Sequence, residues 1–514
     1  MFLGIDSSTQ SLSALLIDAT NGQVLAEESV NFGEEFSQYQ SPSGFIPDGE
    51  NGEVHSNPLM WLDALDLLMQ RLSEATDLSK ITHIAGSGQQ HGSVYLNDSF
   101  DVTVGGLRVS ESLSAQLKSC LTRHTSPIWM DTSTGTECAE IASAVGGDSV
   151  VCSKSGSIAI ERFTGPQIRK FFKADPHSYQ KTERIHLVSS FIASVFAGKS
   201  IPIDFGDGAG MNLLNLHDLE WDQDLLEATA PELHKKLLPP RPCLKPAGLI
   251  NPYFVEKYGF SIRCEVCPFT GDNPASLVGM GATAPGQIVV SLGTSDTFFA
   301  AMPEAKTDPK GYGHVFGNPA GGFMSLICFR NGSLARETLR DELAVDWAEF
   351  DVEALAVTEE SAGKNLTLPF YGAEITPRYD FGKPVTKFSE KPSPSLKIRS
   401  LLEGQFLNMR LHSAWIGISA ERILLTGGAS KNNGIAQMVA DIFQVPVERL
   451  EIANSAALGA ALIAATAAGN DLPELQSAFC KTSKSSRLEP DPTKADRYET
   501  ALAEFEGLVQ ESMS

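Results

Sequence analysis

Apolar positions near the start of the chain fall into two short runs separated by a polar turn. Phe2-Leu3-Gly4-Ile5-Asp6 predicts a buried strand, and Asp6-Ser7-Ser8-Thr9-Gln10-Ser11 a turn rich in small hydroxyl residues. Leu12 to Ile17 predicts a second strand. The plan returns at mid-chain, where Ile288 to Leu292 predicts a strand, Gly293-Thr294-Ser295-Asp296 a turn and Thr297 to Ala301 its partner. A tight β-turn-β of this composition aims backbone N–H groups and hydroxyls at one point, which suits phosphate oxygens. One such hairpin is ordinary punctuation. Two of them, each opening a half of the chain, point to a duplicated domain with a nucleotide between the halves.

Each half continues with alternating strands and helices. Ile81 to Gly88 predicts a strand running into a glycine-bearing turn. Arg422 to Ser430 predicts another, followed by a helix from about Asn433 to Phe443. Asn454-Ser455 reads as the N-cap of a helix ending near Gly469, and Ala456, Ala457, Gly459, Ala460 and Ala461 let that helix approach a neighbour closely. The class is α/β with two layered sheets. The Gly/Ala/Pro-rich junction Gly281 to Gly286 marks a boundary, dividing the chain into 1–282, 286–480 and a tail, 481–514, packed on the second domain.

Bulk composition narrows the partners. At 514 residues the chain exceeds one ordinary core. Its 63 acidic and 40 basic residues give a net charge of −23, which repels nucleic-acid backbones and anionic lipid. Such a surface still allows a pocket to bind phosphate through backbone N–H groups. The N-terminus reads straight into a strand, without a basic stretch or cleavage site, so no secretory signal is expected. The most apolar stretch, Ala456 to Ala468, is too short to span a bilayer. Eight cysteines lie scattered; Cys264 and Cys267 have C-x-x-C spacing, but no second pair completes a zinc site. A reduced, cytoplasmic protein is expected, with no nucleic-acid or membrane partner, as a monomer or homodimer.

Three segments could carry chemistry. Gly271-Asp272-Asn273-Pro274 follows the apolar stretch Glu265 to Phe269, expected as a strand. It puts a carboxylate at that strand's exit, where it could take a proton from an alcohol or simply form an Asx turn. Gly88-Gln89-Gln90-His91-Gly92-Ser93 could hydrogen-bond a polyol, or hold a structural histidine. Thr426-Gly427-Gly428-Ala429-Ser430-Lys431-Asn432 would let a flat ligand or a phosphate approach, although strand–helix turns often carry paired glycines. It is neither a Walker A loop nor a G-x-G-x-x-G fingerprint.

Taken together, these motifs resemble the FGGY carbohydrate kinases of the actin-like ATPase superfamily, most closely the eukaryotic branch acting on D-xylulose. The resemblance covers nearly the whole chain. It rests on Gly4-Ile5-Asp6 with Ser8-Thr9-Gln10, on Gln89-Gln90-His91-Gly92, on Trp129-Met130-Asp131 and on Glu161-Arg162-Phe163-Thr164-Gly165. It continues through Gly206-Asp207-Gly208-Ala209-Gly210-Met211-Asn212, Phe269 to Ser276 and Ser291 to Asp296, then Thr426 to Ser430 and Ala453-Asn454-Ser455-Ala456.

The resemblance implies two actin-like (ribonuclease H-like) ATPase domains with a cleft between them, sugar-binding first and nucleotide-binding second. Such a cleft can close and exclude water. It implies ATP and Mg²⁺ as cofactors and a small-molecule ketose as acceptor: D-xylulose, phosphorylated on O5. Asp272 would be the general base. His91, Arg162 and Asn273 would hold the sugar, with Gln90 and Asp131 close by. Asp6 would orient Mg²⁺ or its waters. Ser8, Thr9, Gln10 and Ser11, with Gly293, Thr294 and Ser295, would cradle the phosphates. Gly427, Gly428, Ala429 and Asn432 would line the adenosine pocket, with Trp347 as its wall.

The chain departs from the family at one position. A Lys or Arg is common four residues after the threonine of the first hairpin; here that position is Ser13. A cation aimed at the transferring phosphate contributes on the order of a few kcal/mol of transition-state stabilisation. The departure leaves open a slower kinase, another cation in its place, or a sugar or nucleotide sensor of the same fold. L-ribulose, L-xylulose and glycerol are the alternative acceptors.

Overall fold

The computed structural model describes residues 1–356, 363–380, 382–389, 391–452 and 454–513. Ala453 of the motif above lies outside the described residues. Packing divides the chain into two compact units built from discontinuous stretches. The first comprises Met1–Thr283, Val315–Phe323 and Ile452–Cys480; the second comprises Ala284–His314, Met324–Glu451 and Lys481–Ser514.

In the first unit the expected hairpin forms, from β1 (Phe2–Ser7) and β2 (Ser11–Asp18), with β3 (Gln23–Asn31) antiparallel beyond β2. On its other side β1 pairs in parallel with β4 (His83–Gly88), setting Asp6 beside Ser87. Every residue of β1 is buried, which is why its apolar run does not alternate. The strand expected over Glu265 to Phe269 is cut short, because Pro268 has no N–H to give a ladder. Glu265–Val266 and Thr270–Gly271 pair separately with β4. Asp272 then opens a helix, α1 (Asp272–Gly279), rather than a free turn. Beneath the sheet, Trp61, Phe191, Phe196, Phe254 and Phe269 belong to one buried cluster.

The second unit repeats the arrangement. Its β5 (Gln287–Leu292) pairs antiparallel with β6 (Asp296–Met302) and in parallel with β7 (Arg422–Thr426). Between them lie α2 (Ser333–Leu343), α3 (Trp347–Ala356) and α4 (Pro394–Ser413). After β7 comes α5, over Asn433–Phe443 as expected, capped by Asn432 Oδ1 on the N–H groups of Gly434 (2.8 Å) and Ile435 (3.2 Å). Ser483 to Arg497 lies in the strand Thr482–Leu488, the start of the helix Ala495–Met513 and the link between them.

Division by packing departs from the linear division expected around residues 281–286. Helix α6 (Ser455–Ala467), expected in the second domain, packs in the first unit against β1 and α1. Glycine makes the approach possible. A Cβ on Gly459 would lie 1.8 Å from the Ala275 carbonyl oxygen, and one on Gly279 2.0 Å from that of Ser455. One on Gly4 would lie 2.1 Å from the Ala457 oxygen. Asn454 occupies the N-cap position, but its side chain makes no capping bond and donates to Glu27 Oε1 at 3.4 Å. Among the described residues, no helix is long and apolar enough to cross a membrane.

Candidate active site

The first unit gathers most of the expected sugar-site residues around the start of α1 and the end of β4. Asp272 Oδ1 accepts from the Asn273 backbone N–H (2.9 Å) and from Asn273 Nδ2 (3.1 Å). Asn273 Nδ2 also donates to Gln90 Oε1 at 2.8 Å. This leaves Gln90 Nε2, buried, without a hydrogen-bond partner among the described residues. Burial pushes the Asp272 carboxyl up to about 7, with the charge of Asp6 adding to the rise. A carboxyl in that range is half ionised near neutrality, where a general base works best.

Asp6, at the end of β1, is buried. Its Oδ1 accepts from the Ser87 hydroxyl at 2.7 Å and its Oδ2 from the Ser8 hydroxyl. Burial raises its carboxyl, and the two serine hydroxyls act against that. The first turn is closed by Ser8 N–H on the Ser11 carbonyl (3.0 Å). Thr9 Oγ1 accepts from the Trp129 indole N–H at 2.9 Å and donates to Gln89 Oε1 at 3.4 Å, while Gln10 stays exposed. Ser13 pairs across from Asp6 and so shares its face of the sheet; its hydroxyl lies 3.1 Å from that of Ser29.

His91 sits beyond β4 with φ at +72°. Its Nδ1 lies 2.7 Å from the Gly210 carbonyl oxygen, which can only accept, so Nδ1 carries the proton. Burial, with the Arg162 charge beside it, pushes the imidazole down to about 3, leaving it neutral. Nε2 is then an acceptor for a hydroxyl. The ring stacks on Phe163, with centroids 4.2 Å apart, and the Arg162 guanidinium lies 5.5 Å from the same Phe163 ring.

Asp131 has a different setting. It accepts from Val54 N–H (3.0 Å), Ser133 N–H (2.9 Å), the Ser133 hydroxyl (2.5 Å) and Gln167 Nε2 (2.7 Å), and pairs with His55 (3.4 Å). Burial raises its carboxyl, but these donors outweigh it and hold the group well below the usual carboxylate range. Its lone pairs are engaged by protein donors, which ties the Trp129–Ser133 loop to its neighbours.

In the second unit a cavity of about 450 Å³ is lined by Trp347, Gly428, Ala429 and Asn432, expected at an adenosine pocket, and by Gly293 and Thr294, expected at the phosphates. Ser295 and Gly427 are not among its lining residues. Gly427, at φ +88°, instead backs onto β5, where a Cβ would lie 2.4 Å from the Leu292 oxygen. Trp347 is 43% exposed, with the Arg340 guanidinium 4.6 Å from its ring centroid and Phe350 edge-on at 5.5 Å.

The sequence profile of the FGGY family of carbohydrate kinases, N-terminal domain, matches residues 118–279, and that of the C-terminal domain residues 288–468. The xylulose kinase of Rattus norvegicus is 39% identical, with all of this chain and 97% of the relative aligned. The chain belongs to the FGGY family of carbohydrate kinases. Xylulose kinase 2 of Arabidopsis thaliana is 40% identical over 90% of this chain and 87% of its own. The crystal structure of xylulose kinase from Rhodospirillum rubrum superposes with a TM-score of 0.84, at 21% identity, over 99% of this chain and 98% of that one; it shows the two-domain FGGY kinase fold.

In this FGGY kinase two buried charged residues carry no local signal in the sequence. Arg336 lines the second unit's cavity yet is almost fully buried; in an amphipathic helix it reads as a surface charge. Asp207 belongs to the motif Gly206-Asp207-Gly208-Ala209-Gly210-Met211-Asn212. It is fully buried, with Oδ2 accepting from the Ser189 hydroxyl at 2.5 Å and Oδ1 without a partner among the described residues. Burial raises it well above the carboxylate range, and the charges of Asp204 and Asp272 add to that. Only contacts made in the fold single out either residue.

Proposed function

We propose that this protein transfers the γ-phosphate of ATP to O5 of D-xylulose, giving D-xylulose 5-phosphate, with Asp272 as the general base. One observation carries the reading: the Asp272 carboxyl, pushed up to about 7, is held by Asn273 beside Gln90 Nε2, a buried donor without a partner among the described residues. Xylulose kinases aligned over 100% and 90% of this chain support the ketose.

In this mechanism the open-chain ketose donates hydroxyls to His91 Nε2 and Asn273 Oδ1 and offers hydroxyl oxygens to Gln90 Nε2 and Arg162. Asp272 takes the O5 proton as the oxygen attacks phosphorus. Such a base contributes about 10²–10⁴-fold in rate. The remainder is positioning and charge neutralisation, because phosphoryl transfer has a loose transition state. The turns Ser8–Ser11 and Gly293–Ser295 supply N–H groups for the phosphates, and Trp347 supplies a face for adenine.

The donor set fits Mg²⁺ carried on nucleotide phosphates. Asp6 is a carboxylate beside the first turn, and such a metal keeps waters and uses one or two carboxylates. When bound, Mg²⁺ would neutralise phosphate charge, with Asp6 orienting its waters. Eight free cysteines fit a reducing, cytoplasmic setting.

A panel assay tests the reading: ADP release with ATP, Mg²⁺ and a series of pentuloses, hexuloses and polyols. Highest kcat/KM on D-xylulose is expected. Higher values on L-ribulose, L-xylulose or glycerol would overturn the acceptor. Sugar binding without ADP release from any acceptor would turn the reading to a non-catalytic sensor.

A further inference from the structure

We propose that Arg336 is a positioning residue for the nucleotide phosphates, acting through the peptide that joins Gly293 to Thr294. The proposal rests on the nucleotide reading of the second unit's cavity. The Gly293 carbonyl is held by two donors: it accepts from the Ser333 N–H at 2.9 Å and from Arg336 Nη2 at 3.3 Å. In a trans peptide the C=O and the following N–H point in opposite directions. Fixing the Gly293 carbonyl toward Arg336 therefore turns the Thr294 N–H the other way, to the side where Thr294 and Ser295 are exposed. That is the orientation a phosphate oxygen needs from a backbone donor.

The guanidinium is itself fixed. It forks onto both oxygens of Asp296, Nη1 to Oδ2 and Nη2 to Oδ1, each at 3.1 Å, and Nη1 also reaches Gln405 Oε1 at 3.0 Å. Gln405 Nε2 in turn donates to the carbonyls of Asn331 (2.6 Å) and Gly332 (2.9 Å). Arg336 and Asp296 are 2% and 1% exposed, so the charges neutralise each other out of solvent and no net cation is offered to the phosphates. Arg336 thus acts through geometry. Lysine keeps the charge but lacks the planar fork that reaches Asp296 and Gly293 together.

The test uses R336K, and D296L combined with R336M, in the full-length protein. The double variant replaces a buried ion pair by apolar side chains, an exchange that folded proteins often tolerate. Calorimetry would give Kd for ATP and for adenosine, which shares the base and ribose but has no phosphate. In both variants ATP affinity should fall by roughly tenfold or more, the scale of a lost hydrogen bond to a charged group, while adenosine affinity stays within about twofold. Equal losses for both ligands would mean that the pocket has collapsed, and would overturn the positioning role. Unchanged ATP affinity would overturn it as well. Wild-type protein that binds neither ligand would overturn the nucleotide reading together with the proposal.

Discussion

The side-chain amide of Asn273 lies 2.8 Å from Gln90 Oε1, joining the first turn of α1 to the end of β4 across 183 positions of sequence. The same nitrogen reaches Asp272 Oδ1 at 3.1 Å. By occupying the Gln90 oxygen it orients that amide, so the buried Nε2 is presented as a donor next to the candidate base.

Replacing Asp272 by Asn keeps the shape and removes the base. Its kcat should fall by about 10²–10⁴-fold with KM for the sugar little changed. A coupled ADP-release assay reads both constants, and near-normal kcat would remove Asp272 from the role.

The Asp272 carboxyl, raised to about 7 by burial and by Asp6, must be ionised to accept a proton. Hence kcat/KM should climb as pH rises through about 7, and D6N should move that midpoint to lower pH by removing the neighbouring charge. Stability carries the opposite sign. A raised carboxyl favours the protonated folded state, so its contribution is present below the ordinary carboxylate value and lost as pH rises through about 7. D272N should therefore raise the thermal midpoint at pH 8, a gain that shrinks toward pH 4.

Position 13 lies opposite Asp6 on the same face of the sheet. S13K should put an ammonium group near the first phosphate turn and raise kcat by on the order of tenfold. Lower activity with intact folding would show that the space is already filled.

Trp347 should provide stacking for the nucleotide base, with Arg340 on the ring. W347A is expected to raise KM for ATP by about tenfold, the scale of one aromatic contact, and to leave KM for the sugar unchanged. Equal rises in both would argue against a nucleotide-specific wall.

Helices α1 and α6 touch through Gly279 and Gly459. A methyl at position 459 would sit 1.8 Å from the Ala275 oxygen, so G459A should cost about 3 kcal/mol through overpacking. Urea unfolding would show it as a lower midpoint.

Both hairpins and α5 were legible in the sequence, because short apolar runs, hydroxyl-rich turns and a glycine-bearing strand–helix turn are local signals. The candidate residues of both sites could be named from their motifs. Their states could not. Asp131 carries a motif that suggests a sugar contact, and its oxygens accept from nearby Ser133 and from Val54 and Gln167 in distant parts of the chain. Gly427 shares a motif with Gly428, but it packs against β5 while its neighbour lines the cavity.

The sequence by itself determined the duplicated strand–turn–strand plan, the α/β class and the positions of the chemical groups, since these depend on residue type and short-range spacing. Tertiary structure alone decided that α6 joins the first unit, that Arg336 is buried against Asp296, and that burial pushes the Asp272 carboxyl up to about 7. The physical reason is common to all three. Close helix contact, ion-pair burial and a shifted pKa depend on atoms brought together from distant parts of the chain.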